Sequence, residues 1–325
     1  MKLVLALPRF VVTFAAGLAL LTAESRSAPA KDQPTLNALF IGNSFTGRHN
    51  LTSVVKAMAE AGNPGLRFNV TTVIYGGRTL KDHWRLGTQN YINLATITPA
   101  DVRASIAEFE QMAAKEPADV LAKTAVTRQQ ALLAMLDRPR HKWDIVVLQS
   151  YRDDLDGEAS SYAEYAPKFA ALIKAQGGRV VLYETTPDTQ HATPLTAAPD
   201  PKPVLAKARM LAALAQRTGA VVVPMSTVAL HCQTVRPELT LRFVNDGHLN
   251  HTMAYLTACT FQAALFDRSP ECLPVTSVTD TRYLEKGGKD KSKDRDGGPI
   301  TRTFSAQERA DLQRIAWEGF RKFQR

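Results

Sequence analysis

The chain has 325 residues, 45% of them hydrophobic and 22% charged, with a formal net charge of +9. That balance excludes an intrinsically disordered protein and suffices for one substantial core or two smaller ones. The positive charge does not define a nucleic-acid-binding protein, because basic residues are scattered among acids. The densest run, Glu285 to Asp296, holds five basic and four acidic residues, a solvated mixed-charge linker rather than a phosphate-binding patch.

Near the start, Lys2 and Arg9 precede an apolar stretch from Val11 to Ala23, and Ser27, Ala28 and Ala30 follow. Basic, apolar and small residues in that order predict a secretory signal peptide over residues 1–30, with Ala28-Pro29-Ala30 or Leu21-Thr22-Ala23 at the cleavage site. The apolar core is shorter than the roughly 20 residues of a spanning helix. An extracytoplasmic protein without stable membrane insertion after cleavage is therefore expected. Loss of the first thirty residues removes Lys2, Arg9, Arg26 and Glu24 and leaves a charge of +7. Of Cys232, Cys259 and Cys272, at most two can pair within one chain. Cys259 lies in a helical pattern that suits a buried thiol, which favours Cys232 with Cys272. Neither metal-ligand spacing nor a redox pair occurs, so no metal or cofactor is expected.

Leu36 to Ile41 reads as a first buried strand that stops at Gly42-Asn43-Ser44. Leu51, Val54, Val55, Met58 and Ala59 then recur at helical spacing until Gly62 and Pro64. A β-branched run from Phe68 to Tyr75 predicts a second strand, ending in Gly76-Gly77-Arg78-Thr79-Leu80, a turn able to bring backbone N–H groups close to a ligand. A helical excursion over about 81–140 follows, with Ile106, Phe109, Met112 and Ala113 on one amphipathic face and Leu132, Leu133 and Leu136 on another. Trp143 to Gln149 predicts a third strand, continuously apolar as in a sheet covered on both faces. A helix around Tyr165 to Ala175, stopped by Gly177-Gly178, leads to a fourth strand at Arg179 to Glu184. After a proline-rich loop, a helix from about Val204 to Arg217 precedes a fifth strand at Ala220 to Val223. Leu241 to Val244 leads into Asn245-Asp246-Gly247-His248 and a strong helix from about Thr252 to Phe266. A flexible linker over about 285–298 separates this helix from a terminal one, opened by the capping box Ser305-Ala306-Gln307-Glu308.

Strands alternating with helices predict an α/β protein with a parallel sheet and helices on both faces. No Gly-x-Gly-x-x-Gly follows the first strand and no Gly-x-x-x-x-Gly-Lys-Ser/Thr is present, which disfavours dinucleotide and phosphate-loop sites. Gly-x-Ser-x-Gly is also missing, so the nucleophile elbow of the α/β-hydrolases does not apply. Ser44 stands just past the carboxyl end of a strand, where open α/β sheets bind ligands. Two roles fit it: a nucleophile, or an ordinary N-cap of the next helix.

The order of an early Gly42-Asn43-Ser44, a Gly77 turn after the second strand and a late His248 turn resembles the SGNH (GDSL-like) hydrolases from Leu36 to about Phe266. Asn43 stands where the more usual motif has Asp. The resemblance implies a flavodoxin-like three-layer α/β/α sandwich with a five-stranded parallel sheet in the order 2-1-3-4-5, within a single domain over 31–325. It also implies ester hydrolysis through an acyl-serine, with Ser44 as nucleophile, His248 as general base, and the N–H groups of Ser44 and Gly77 in the oxyanion hole. Such donors are typically worth a few kcal/mol each. The family places its acid three residues before the histidine, where this chain has Asn245; Asp246, two before, is the preferred orienting acid and Asn245 or a backbone carbonyl the alternative. The family's third block supplies an Asn as oxyanion donor, and here Gln149 of Gln149-Ser150-Tyr151-Arg152 has the comparable amide.

Three functions are compatible with this pattern: an exported serine esterase acting on acylated carbohydrate or another small acyl ester, an acyltransferase with the same triad, and a non-catalytic carbohydrate-binding relic of the fold. His83 and Trp84 follow the glycine turn closely enough to wall a pocket, although packing is the commoner role of an aromatic there. His251 is expected at a helix start and His49 and His191 on surface loops.

Overall fold

Alternating side chains decide the architecture. Along Thr35–Gly42 (β1), Ala38 and Phe40 point into one apolar cluster and Leu39 and Ile41 into another, so the strand is buried on both faces. The same alternation runs through Ile145 to Leu148 and Val180 to Tyr183. A sheet with two apolar faces needs a helical layer on each. The computed structural model describes residues 33–149, 151, 160–185, 191–281 and 290–325. The expected signal peptide, Ser150, Arg152 and the start of the expected linker, Glu285 to Lys289, lie outside the described residues.

From β1 the chain makes a single turn at Ser44–Gly47 (α1), a 3₁₀ turn at Arg48–Asn50 and the helix Leu51–Gly62 (α2), then enters Arg67–Ile74 (β2). The long excursion is four helices, Leu80–Arg85 (α3), Gln89–Ile92 (α4), Pro99–Lys115 (α5) and Val120–Met135 (α6), before Ile145–Gln149 (β3). Ser161–Ala175 (α7), Arg179–Glu184 (β4), Lys202–Thr218 (α8), Val221–Pro224 (β5) and Met225–Val235 (α9) follow. His251–Phe266 (α10), a two-stranded antiparallel ribbon of Ser277–Thr279 (β6) and Thr301–Thr303 (β7), and Ala306–Phe323 (α11) complete the unit Pro34–Arg325.

All neighbours in the main sheet pair in parallel, in the order β2-β1-β3-β4-β5. This is the flavodoxin-like three-layer arrangement and strand order expected from the sequence. The strand order reverses between β1 and β3, and open α/β sheets bind their ligands at the carboxyl ends of strands beside such a reversal. On one face α2, α9, α10 and α11 share a core; α3 to α8 cover the other. The helix α10 is buried on nearly every side, from His251 to Leu265, which rigidly fixes the turn that precedes it. No described helix is long and apolar enough to cross a membrane.

Two elements escape the periodicity that marks the others. In α9 the buried residues include the polar Ser226, His231 and Gln233 while Leu230 and Val235 are less covered, so burial does not follow hydropathy and the period is hidden. The ribbon strands have three residues each and lie more than twenty residues apart, too short for an alternation signal. The expected Cys232–Cys272 bridge does not form: all three cysteines are free thiols. Cys232 is enclosed in the core shared by α9 and α11, and burial pushes its thiol up to about 12, whereas Cys272 is exposed.

The contact of α9 with α11 depends on Gly319. A Cβ there would lie 2.9 Å from the backbone Cα of Val228, closer than either helix can yield without moving. Alanine gains about 1 kcal/mol of helix propensity over glycine, but overpacking costs typically about 1–3 kcal/mol. Gly319→Ala is therefore expected to lower the urea midpoint; an unchanged or raised midpoint contradicts this close packing.

Candidate active site

The chain leaves β1 at Gly42 into a turn that the next residues make obligatory. A Cβ on Gly42 would lie 2.5 Å from both the Gln149 Oε1 and the Thr46 Oγ1, so the position accepts only glycine. Asn43, fully buried and extended, caps α1: its Oδ1 accepts from the Phe45 N–H at 3.0 Å. The capping role open to Ser44 is thus filled by its neighbour. From Ser44 the Oγ–H donates to His248 Nε2 at 2.7 Å.

His248 belongs to a loop closed on itself. An antiparallel bridge pairs Arg242 with Leu249, the Phe243 N–H donates to the His248 carbonyl at 3.2 Å, and the Asn250 N–H donates to the Leu241 carbonyl at 3.1 Å. Asn250 then caps α10 through its Oδ1 and ties back to the Thr240 carbonyl through its Nδ2 at 2.8 Å. Asp246 Oδ1 accepts both the His248 backbone N–H, at 3.1 Å, and a short hydrogen bond from His248 Nδ1. A carboxylate oxygen only accepts, so Nδ1 carries the hydrogen and Nε2 is left with the lone pair that faces Ser44. Burial pushes the Asp246 carboxyl up, but the hydrogen bond and charge of His248, the charge of Arg48 and the backbone N–H outweigh it and hold the group below its ordinary value.

Asn245, the alternative orienting residue, faces away from the imidazole. Its backbone N–H and Nδ2 donate to Asp296 Oδ1 at 2.9 and 3.3 Å. Asp246, Ser44 and His248 come together; Asn245 does not join them.

Gly77 occupies the left-handed region at φ 65°, in a turn closed by the Arg78 N–H donating to the Tyr75 carbonyl at 3.2 Å. The Asn43 Nδ2 donates to the Arg78 carbonyl at 3.1 Å, which ties this turn to the one bearing Ser44. Among the described residues, neither the Ser44 N–H nor the Gly77 N–H donates a hydrogen bond to the protein. Among the described residues nothing lies within 4 Å of where a Cβ on Gly77 would be.

Gln149 has a different place from the one expected. It is fully buried beneath the Ser44 turn, where its Oε1 accepts from the Asn43 N–H at 2.8 Å and from the Thr46 hydroxyl at 3.0 Å. It braces the turn from below. His83 is likewise a brace: fully buried, it donates from Nε2 to the Gly42 carbonyl at 2.9 Å and accepts from Thr88 Oγ1 at Nδ1, also at 2.9 Å. Trp84 packs on Phe169, with ring centroids 5.1 Å apart.

His49, expected on a surface loop, is buried. Its Nε2 donates to the Leu249 carbonyl at 2.7 Å, its ring stacks on Phe243 with centroids 5.6 Å apart, and burial lowers its pKa to about 3. His49 and Asn50 both adopt positive φ, at 58° and 48°, an uncommon conformation for non-glycine residues that directs the ring toward the His248 loop. The described half of the expected linker is also built in. Asp296 accepts the Val244 and Asn245 N–H groups at 2.8 and 2.9 Å, and Arg295 Nη1 lies 3.3 Å from Asp246 Oδ2. Arg48 Nη2 reaches the same oxygen at 3.4 Å. A lone histidine, two arginines and an aspartate in a charge run carry no spacing signal that could have marked them. Among the described residues no cluster of three or more His, Cys, Asp or Glu is arranged to hold a metal ion.

The chain matches no family model and no curated protein. Among solved structures it is similar to a protein from Slackia heliotrinireducens described as a candidate SGNH hydrolase, at 16% identity and a TM-score of 0.39, covering 71% of this chain and 99% of that one. It is also similar to a gut microbial diltiazem-metabolizing enzyme, at 13% identity and a TM-score of 0.35, over 72% of this chain and 47% of the other, less than half of that protein's length. At TM-scores this low neither neighbour carries a residue-by-residue correspondence to this chain.

The braces have a pH signature. Burial lowers the His83 pKa from 6.5 to about 4, against the raising effects of its bond to Gly42 and the charge of Asp82. The unfolded chain therefore binds a proton here that the folded chain refuses, and stability rises with pH wherever that holds. The contribution is complete above pH 6.5 and is lost as pH falls from 6.5 toward about 4, with His49 acting in the same direction. Urea unfolding of His83→Gln is expected to show a shallower loss of stability than wild type over that window; an identical slope contradicts a neutral buried imidazole.

Proposed function

We propose that the protein is a serine esterase that hydrolyses small acyl esters through an acyl-serine intermediate. The observation that carries this reading is the unbroken chain Ser44 Oγ, His248 Nε2 and Nδ1, Asp246 Oδ1, together with the Ser44 and Gly77 N–H groups, which no described residue accepts from. A serine hydroxyl is a weak nucleophile until a neighbouring base accepts its proton, and the base must itself be oriented. Here Ser44 Oγ attacks the acyl carbonyl as its proton passes to His248 Nε2. Asp246 keeps the imidazole in the tautomer that can accept that proton and stabilises the imidazolium that results. Negative charge developing on the carbonyl oxygen is received by the N–H groups of Ser44 and Gly77. His248 returns the proton to the leaving alkoxide, and a water activated by the same imidazole hydrolyses the acyl-serine.

A non-catalytic reading would draw on the asparagine at position 245, where an acid is usual, and on the altered third block at Gln149; the bond of Asp246 to His248 favours catalysis over it. Acylated carbohydrate or another small acyl ester is the substrate class within this reading. Export is part of it, on the basic, apolar and small-residue order of the first thirty positions.

On a panel of short-chain aryl and sugar esters, Ser44→Ala and His248→Ala are each expected to lower kcat by roughly six orders of magnitude, with losses far from additive. Asp246→Asn should cost much of the rate and Asn245→Ala little. Full activity of Ser44→Ala, or turnover no higher than a denatured control across the panel, contradicts the proposal.

A further inference from the structure

We infer that Arg295 and Arg48 are positioning residues for the Asp246–His248 pair, and that the segment Asp290 to Gly298 is thereby a working part of the site. The inference rests on the esterase reading above and deepens it.

A single residue separates Asp246 from His248. The acid reaches the imidazole by folding back on its own backbone, with Oδ1 shared between the His248 N–H and Nδ1. A carboxylate held at one oxygen by a two-residue loop can still swing about its last side-chain torsion, which is broad. The second oxygen is held from outside: Arg48 Nη2 at 3.4 Å comes from the connection between α1 and α2, and Arg295 Nη1 at 3.3 Å from the segment before β7. The side chains of Asp246, Arg48 and Arg295 are 17%, 19% and 12% exposed, so solvent screens these contacts less than it would a surface pair.

Two guanidinium groups beside one carboxylate would oppose an imidazolium forming next to them. Asp280 offsets part of that charge. Its fully buried side chain lies 3.4 Å from Arg295 Nε, a Coulombic contact more than an aligned hydrogen bond. Asp280, Arg295, Asp246, His248 and Ser44 thus form one chain of partners in which opposite charges alternate up to the imidazole.

The segment that delivers Arg295 is itself fixed. Asp294 Oδ1 accepts the Asp296 and Gly298 N–H groups at 3.0 and 2.7 Å. The Ile300 N–H donates to the Ser292 carbonyl at 2.9 Å, and the Asp280 N–H donates to the Ile300 carbonyl at 2.8 Å. Asp296 meanwhile holds the start of the His248 turn through the Val244 and Asn245 N–H groups. The segment thus grips the turn at its backbone and at its acid.

The test uses the full chain and a short-chain p-nitrophenyl ester, with thermal unfolding measured for every variant. Among the described residues, the charged or titratable groups around the pair are Arg48, His49, Asp280, Arg295 and Asp296. Arg295→Gln is expected to lower kcat by roughly 10- to 100-fold, short of the ~10⁴-fold cost of corrupting the acid of a Ser-His-Asp triad. KM should change by about two-fold or less. With one cation gone, the imidazolium is easier to form, so the acid limb of kcat/KM should move to higher pH. Because Arg295→Gln leaves Asp280 buried without this cation, Arg295→Gln with Asp280→Asn is the second variant. It should recover thermal stability without recovering kcat. Lys115→Ala, an exposed position on α5, should change neither rate nor pH profile. The inference is overturned if Arg295→Gln keeps kcat and the acid limb, or if the double variant recovers both along with its stability. If wild type hydrolyses esters and Ser44→Ala does not, such a result removes the positioning role alone; if wild type has no turnover, the esterase reading falls and takes this inference with it.

Discussion

Ser44 and His248 are 204 residues apart in the chain, and Ser44 Oγ stands 2.7 Å from His248 Nε2. Hydrogen-bond geometry tolerates only a few tenths of an ångström around such a distance, so both turns must be rigid and fixed to each other. On the serine side, the Asn43 cap, the Gln149 amide beneath it and the His83 bond to Gly42 leave the turn little freedom. On the histidine side, the buried helix α10 and its Asn250 cap hold the loop. His49 joins the two, because it follows Ser44 by five residues and donates to the carbonyl of the residue after His248. The two positive φ angles at His49 and Asn50 are the backbone cost of that join.

Much of this could be read in advance from residue type and order. The five strands, their parallel sense and the helical excursion after β2 follow from continuous apolar runs between helical patterns, because a sheet covered on both faces selects such runs. Ser44, Gly77 and His248 stand at strand ends and turns, where sequence punctuation is strongest. Asp246 came from the same short motif. What escaped lies where chemistry depends on long-range packing. His49, Arg48 and Arg295 belong to no spacing, and their roles exist only once α2, the 241–250 loop and the ribbon meet. Gln149 was assigned by its amide alone; burial on all sides makes it a brace. The run of alternating charge after Glu285 carries the composition of a solvated linker, yet Asp296 and Arg295 spend their charge on the site. Composition reports average solvation and is silent about the few residues that are tied down.

The electrostatics of the site also bear on its economy. Most charged side chains of this protein are exposed, and pairs such as Lys168 with Glu164 contribute little. The group around Asp246 differs because it is largely enclosed and opposite charges alternate within it, which offsets part of the desolvation cost of a single buried charge.

The central claim is that Ser44 becomes covalently acylated. Rapid acid quench of the enzyme mixed with an excess of a slowly deacylating aryl ester, followed by intact-mass and peptide mapping, tests it most directly. The account predicts a mass increase of one acyl group per chain, located on the peptide containing Ser44 and absent from Ser44→Ala. Ester turnover with no adduct under conditions that trap a control acyl-enzyme, or an adduct on another residue with Ser44 unmodified, would contradict it.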